Sequence, residues 1–153
     1  MNRINVAKDK AELVKALTVT DGKLGPFQTY ADVMVFAATL GVKRKKRVPV
    51  KESSKREPAP IGLEIFVSRG YDSVIKLIAV AETKDAKILS TSDANAEEQR
   101  LTLFEEYANG GLEILREELR GAGDYLDQLL LMLIAERFKE ESTNQSFDLR
   151  RFL

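Results

Sequence analysis

Apolar positions recur along most of this chain three or four residues apart, the spacing that gathers them on one face of an α-helix. Lys8 to Leu17 carries Leu13, Val14 and Leu17 on such a face. Asp21-Gly22 and Gly25-Pro26 then punctuate a loop. Thr29 has the chemistry of an N-cap, and Asp32, three residues on, is the acid that reaches back in a capping box. Val33, Phe36, Ala37 and Leu40 form the apolar stripe of the helix that follows, and Gly41 is placed to end it as a left-handed residue. Residues 48–60 hold three prolines and two serines and predict an exposed linker with no packed element. Ile61 to Val67 interleaves apolar residues with Gly62 and Glu64, which suits a short strand or an extended arm.

The second half repeats the helical pattern. Asp72 or Ser73 is placed to cap a helix carrying Val74, Ile75, Leu77, Ile78 and Ala81, and Ala86 to Leu89 suits one further turn. Ala96 to Ala108 brings Leu101, Phe104 and Ala108 onto one face; Asn109-Gly110-Gly111 reads as a break, after which Leu112, Leu115 and Leu119 resume the pattern. Gly121 and Gly123 interrupt it again, Asp124 caps, and Tyr125 to Phe138 is the most apolar helix of the chain.

These elements predict an all-α fold, a compact orthogonal bundle of five to seven helices with a basic exposed loop and at most one short strand. Residues 1–140 are expected to form a single helical domain with the basic loop or linker at 43–60, and 141–153 a C-terminal tail. Apolar on most sides, Tyr125 to Phe138 suits either the centre of the core, the preferred placement, or half of a subunit interface in a homodimer. The tail carries Phe147, Leu149, Phe152 and Leu153, which suit packing on their own domain or docking into a partner.

Composition narrows the chemistry. The 153 residues contain no cysteine and no histidine. Disulfides, thiolate nucleophiles and cysteine-held zinc are therefore excluded, along with the commonest general base and transition-metal ligand. No cofactor, metal site or catalytic residue is expected, and the chain is read as a non-enzyme. The run Leu129 to Ala135 is too short to span a bilayer, so no membrane contact is expected. Met1 to Val6 lacks the apolar stretch of a signal peptide, and cytoplasmic residence is the expectation.

Charge is unevenly placed. The whole chain sums to zero, yet residues 1–60 hold 13 Lys+Arg against 6 Asp+Glu, and residues 61–153 hold 11 against 18. The excess of cations centres on Lys43-Arg44-Lys45-Lys46-Arg47, reinforced by Lys51, Lys55 and Arg56, with Glu52 the one anion among them. Adjacent cations repel one another, and a polyanion offsets that repulsion: each phosphate neutralised on DNA releases condensed counterions. These eight residues are the candidate nucleic-acid-binding set. The simpler reading is a solvated loop that aids solubility.

Two stretches carry a resemblance. Phe27-Gln28-Thr29-Tyr30-Ala31-Asp32-Val33-Met34-Val35-Phe36-Ala37-Ala38-Thr39-Leu40-Gly41 precedes the basic run, and Phe104-Glu105-Glu106-Tyr107-Ala108-Asn109-Gly110-Gly111-Leu112-Glu113-Ile114-Leu115 lies in the acidic half. Together, over roughly residues 5–135, they resemble the Dnd-system-associated protein 4 family, whose genes neighbour those for bacterial DNA phosphorothioation and phosphorothioate-dependent restriction. The resemblance implies an antiviral defence setting, with DNA and Dnd-type restriction or modification proteins as partners. It implies no reaction and carries over no catalytic residue. The tail after Glu140 falls outside it.

Three further patterns bear on chemistry. Asp72 followed by Glu82-Thr83-Lys84 has the order of a Mg²⁺-dependent nuclease, but that site needs a strand at Glu82, and the preceding residues follow helical spacing. Asn109-Gly110-Gly111 suits a phosphate-binding turn, although Glu105, Glu106 and Glu113 would repel phosphate, and two helices meeting at a new angle explain it better. The acidic faces are most simply solvated; alternatively they meet a basic partner, or fold against the basic segment. The sequence thus favours a DNA-binding accessory subunit of a phosphorothioation-linked restriction-modification system, gripping backbone without reading sequence and contacting a partner through its acidic half. The alternative is a protein–protein adaptor of the same system that does not bind DNA.

Overall fold

The computed structural model describes residues 2–19 and 25–152, with 141–152 described as backbone. The loop expected at Asp21-Gly22 lies outside the described residues. Among the described residues six α-helices follow one another: α1 (Ala11–Ala16), α2 (Tyr30–Lys43), α3 (Leu63–Ser68), α4 (Asp72–Thr83), α5 (Ala94–Glu118) and α6 (Tyr125–Phe152). Single 3-10 turns form at Lys8–Lys10 and, as expected, at Ala86–Leu89. The described residues are mostly helical, in keeping with the all-α expectation. The strand read at 61–67 is only Ile61–Gly62 (β2), paired antiparallel with Arg3–Ile4 (β1), with Ile4 opposite Ile61. A ladder extends only as far as its partner, and beyond Gly62 the apolar residues turn into α3.

The two compact units of the backbone are Met1–Glu117 and Glu118–Leu153. In the first, Thr29 caps α2 as its position demands. Its Oγ1 accepts from the Asp32 amide at 3.2 Å, and the Asp32 carboxylate accepts from the Thr29 amide at 3.1 Å. Arg69 and Tyr71 donate to the same carboxylate, tying α2 to the α3–α4 turn. Burial alone would raise the Asp32 pKa, but hydrogen bonds from Tyr71, Thr29 and Arg69 outweigh it and hold the carboxyl below its ordinary value. Neither Asp72 nor Ser73 caps α4, because Asp72 is already its first helical residue.

Gly41 does not end α2. The helix runs on to Lys43, Arg44 is the C-cap, and the left-handed place falls to Lys45, at φ 54°. The Lys46 amide donates to the Gly41 carbonyl at 2.8 Å and the Lys45 amide to Val42 at 3.1 Å, the paired bonds of a Schellman stop. The break expected at Asn109-Gly110-Gly111 is also not there: α5 is continuous across it. These glycines serve close approach instead. A Cβ on Gly41 would lie 2.2 Å from the Tyr107 carbonyl oxygen, one on Gly111 1.7 Å from that of Ala37, and one on Gly110 2.0 Å from that of Lys46. The backbone of α2 and its exit thus rests directly on α5.

Among the elements of this unit, α5 contributes the largest share of the buried apolar residues. Phe104, Ala108, Leu112 and Leu115 are fully buried, as are Ile4, Val14, Val33 and Phe66. Phe66 meets Phe104 edge-on at 5.4 Å, a favoured aromatic geometry.

In the second unit Gly121 is left-handed and Asp124 caps α6, its Oδ1 accepting from the Leu126 and Asp127 amides. The helix continues to Phe152, so the segment read as a tail extends its backbone. The side chains of the tail's apolar residues lie outside those described. Core placement of α6 is not observed. Leu129 and Met132, three residues apart, are buried, while Leu126, Leu130, Leu131, Leu133, Ile134 and Phe138 are 47–62% exposed. Apolar composition all round a helix does not by itself supply neighbours on every side. Among the described residues no helix is long and apolar enough to cross a membrane.

Candidate nucleic-acid interface

The basic run begins inside a helix. Lys43 is the last residue of α2, Arg44 and Lys45 form its stop, and Lys46 to Ser54 leaves as a strap across α5. Lys43, Arg44, Lys45, Arg47, Lys51, Lys55 and Arg56 are exposed, and Lys46 is half-buried.

The strap has no regular structure beyond one bridge, but its backbone is held along its length, contrary to the linker expected at 48–60. The Val48 amide donates to the Glu106 carbonyl at 3.0 Å, and Asn109 Nδ2 donates to the carbonyls of Val48 and Pro49 at 3.1 and 3.2 Å. Farther on, the Lys8 amide donates to the Glu52 carbonyl, the Ser54 amide to the Val6 carbonyl at 2.7 Å, and Ala7 bridges Ser53. Ser54 and Pro58 are buried, and Tyr30 donates its hydroxyl proton to Glu57. Long-range bonds take the place of the missing core here.

Acidic residues complete the hold. Arg47 donates from Nε to Glu106 and lies 3.5 Å from Glu82 through Nη1. The Glu106 bond is the main reason that the Arg47 pKa rises above its ordinary value. Tyr107 donates to the other oxygen of Glu82; burial first, and that bond second, push its hydroxyl up to about 12. Lys46 Nζ lies 3.7 Å from Glu113. Of the acidic faces, Glu106 and Glu113 therefore fold against the basic segment, joined by Glu82 of α4, while Glu98, Glu117 and Glu118 are exposed. Glu105 accepts from the Asn5 amide at 2.6 Å, and burial raises its carboxyl pKa.

The nuclease constellation is not assembled. Asp72 and Glu82 stand at opposite ends of α4, about 15 Å apart for ten helical residues. Asp72 pairs with Lys76 at 2.8 Å, and Lys84 lies past the helix end in the left-handed region. No group of three or more acids placed to share a metal occurs among the described residues. Asn109-Gly110-Gly111 lies inside α5 beneath the Lys46 carbonyl and forms no phosphate-binding turn.

Sequence reasoning passed over Glu82 and Asn109 as anchors of the strap, and Tyr107 and Lys10 as the side chains bonded to them. Only Asn109 left a local signal, a polar residue on the apolar side of a helix.

These features define a small helical protein that presents an ordered cationic segment on an acidic helix. The chain belongs to the family described as DNA sulphur modification system-associated protein 4, whose family model spans residues 3–152. The match takes in the segment after Glu140, which the resemblance read from residues 5–135 had left out. No curated protein and no solved structure matches the chain.

Proposed function

We propose that this protein is a non-enzymatic accessory subunit of a DNA sulphur modification system that holds DNA by its phosphates through residues 43–56. The observation that carries the reading is the exposure of seven of the eight cations on a backbone pinned to α5. A preorganised set loses less conformational freedom on binding than a loose tail. Nothing in this geometry reads bases, so the grip is to backbone and depends on salt. Proteins of a restriction or modification complex are the expected company, and the exposed apolar stripe of α6 is the surface that suits them.

Mobility shifts with plain duplexes at several salt concentrations test the grip. Replacing Lys43, Arg44 and Lys45 by Gln spares Lys46 and Arg47, which pair with Glu113, Glu106 and Glu82. Binding should weaken equally for every sequence, with the salt slope flattened by roughly 0.9 for each phosphate that is no longer neutralised. Unchanged binding in a folded triple variant overturns the DNA reading. The adaptor reading, which the α6 stripe favours, then takes its place and is tested by pull-down with system proteins.

A further inference from the structure

A cleft of about 560 Å³ opens between the Lys8–Lys10 turn, the strap and α5. That volume falls in the range of small-molecule sites. Ala7, Val48 and Pro49 give it apolar walls, and Lys8, Lys51 and Arg116 line it with charge. Lys10 is the unusual member, with its side chain only 4% exposed.

An ammonium withdrawn from water needs its three donors met and its charge balanced. Lys10 Nζ donates to the neutral Asn109 Oδ1 at 2.8 Å. Its two nearest acids, Asp9 at 3.5 Å and Glu113 at 3.9 Å, stand at ion-pair distance, and each has another cation: Arg116 lies 3.2 Å from Asp9, and Lys46 3.7 Å from Glu113. Glu52, the third acid of the lining, is held by Lys8 at 2.9 Å. Four cations against three acids leave the lining one positive charge in excess, and it stands exposed at Lys51, for which no ion pair is seen among the described residues. An exposed cation with no ion pair, a buried ammonium that shares both of its acids with other cations, and apolar walls together fit an anion that carries an apolar or planar body.

We propose that this cleft binds a phosphate ester of mononucleotide size, with the phosphate held by Lys10 and Lys51 and the rest of the molecule against Val48 and Pro49. The site shares Lys51 with the cations proposed to hold DNA but not Lys43, Arg44 or Lys45, and the proposal stands whether or not those three hold DNA. Its phosphate has two sources, a free nucleotide or a nucleotide of a DNA strand.

The test is a titration of the full chain with adenosine monophosphate, followed through the amide signals of Asn109 and Lys51 by NMR. Saturable shifts are expected, with inorganic phosphate competing. Lys51→Gln should weaken binding at least ten-fold, and Lys10→Met should abolish it. Should Lys10→Met fail to fold, the exposed Lys51→Gln decides the matter alone. The Lys43, Arg44 and Lys45 triple variant should bind the nucleotide like the wild type, which separates this site from those three cations. Displacement of the nucleotide by a short duplex would assign the phosphate to DNA, and simultaneous binding to a free nucleotide; either supports the site. Absence of saturable shifts, or undiminished binding by Lys51→Gln, overturns it.

Discussion

Gly111 and Ala37 meet backbone to backbone, with no room for even a methyl group between α5 and α2: a Cβ on the glycine would stand 1.7 Å from the alanine carbonyl oxygen. Neither helix can yield by turning a side chain aside. Gly111→Ala should therefore destabilise the fold by about 1–3 kcal/mol or more, the cost of overpacking, despite the higher helix propensity of alanine. Urea unfolding would measure it. A neutral or stabilised variant would contradict the packing described.

Lys45 presents a different trade. A non-glycine residue in the left-handed region is strained by roughly 1 kcal/mol, and glycine relieves that strain. Lys45→Gly should raise the melting temperature while lowering affinity for duplex DNA. Stability and binding would then move in opposite directions from one substitution. A loss of both would place Lys45 in the scaffold instead.

The strap should resist hydrogen exchange. The amides of Val48 and Ser54 are bonded to Glu106 and Val6 and should exchange more slowly than that of Lys51. Asn109→Leu removes two bonds to the strap and one to Lys10 without altering net charge. It should speed exchange at residues 46–50 and cost about 1–3 kcal/mol, since it leaves buried polar groups unmet. Unaltered exchange in that variant would mean that Gly110 and Glu106 suffice to hold the segment.

Asp32 sets a pH dependence. Its carboxyl is held below the ordinary value in the folded state, so its contribution to stability is present above the unfolded pKa and is lost as pH falls through the folded one. The advantage of wild type over Asp32→Asn should be full at neutral pH and shrink in acid. Denaturant midpoints of both proteins across that range check the sign. An advantage that grew on acidification would refute it.

On α6 two kinds of leucine-sized position should behave differently. Met132→Ala, at a buried site, should cost about 2–5 kcal/mol, whereas Leu130→Ser and Ile134→Ser, both near half exposed, should fall within about 1 kcal/mol. If the exposed stripe takes a system protein, the paired serine variant loses it in a pull-down while remaining folded.

Local chemistry told the truth where its partners were local. Thr29 with Asp32, and Asp124 with the amides after it, behave as their spacing requires. Glycine was ambiguous, because one residue type serves both a left-handed stop and a close approach. Gly41, Gly110 and Gly111 turned out to be the latter, which made one long α5 look like two helices. The basic run was legible as charge but not as structure. Its anchors, Glu82, Glu106 and Asn109, lie 35 to 61 residues away from it along the chain, beyond the reach of any periodicity. The apolar excess of α6 misled for the opposite reason: hydrophobicity shows what a helix could bury, and only the surrounding fold shows what it does bury.

The order of synthesis gives that separation a consequence. A chain made from its N-terminus completes Arg47 well before Glu82 and Glu106 exist, and Lys46 before Glu113. For that interval the cations stand uncompensated beside a growing chain, near the polyanionic RNA of the machine that makes it. The acidic helix that arrives later is thus also what quiets them.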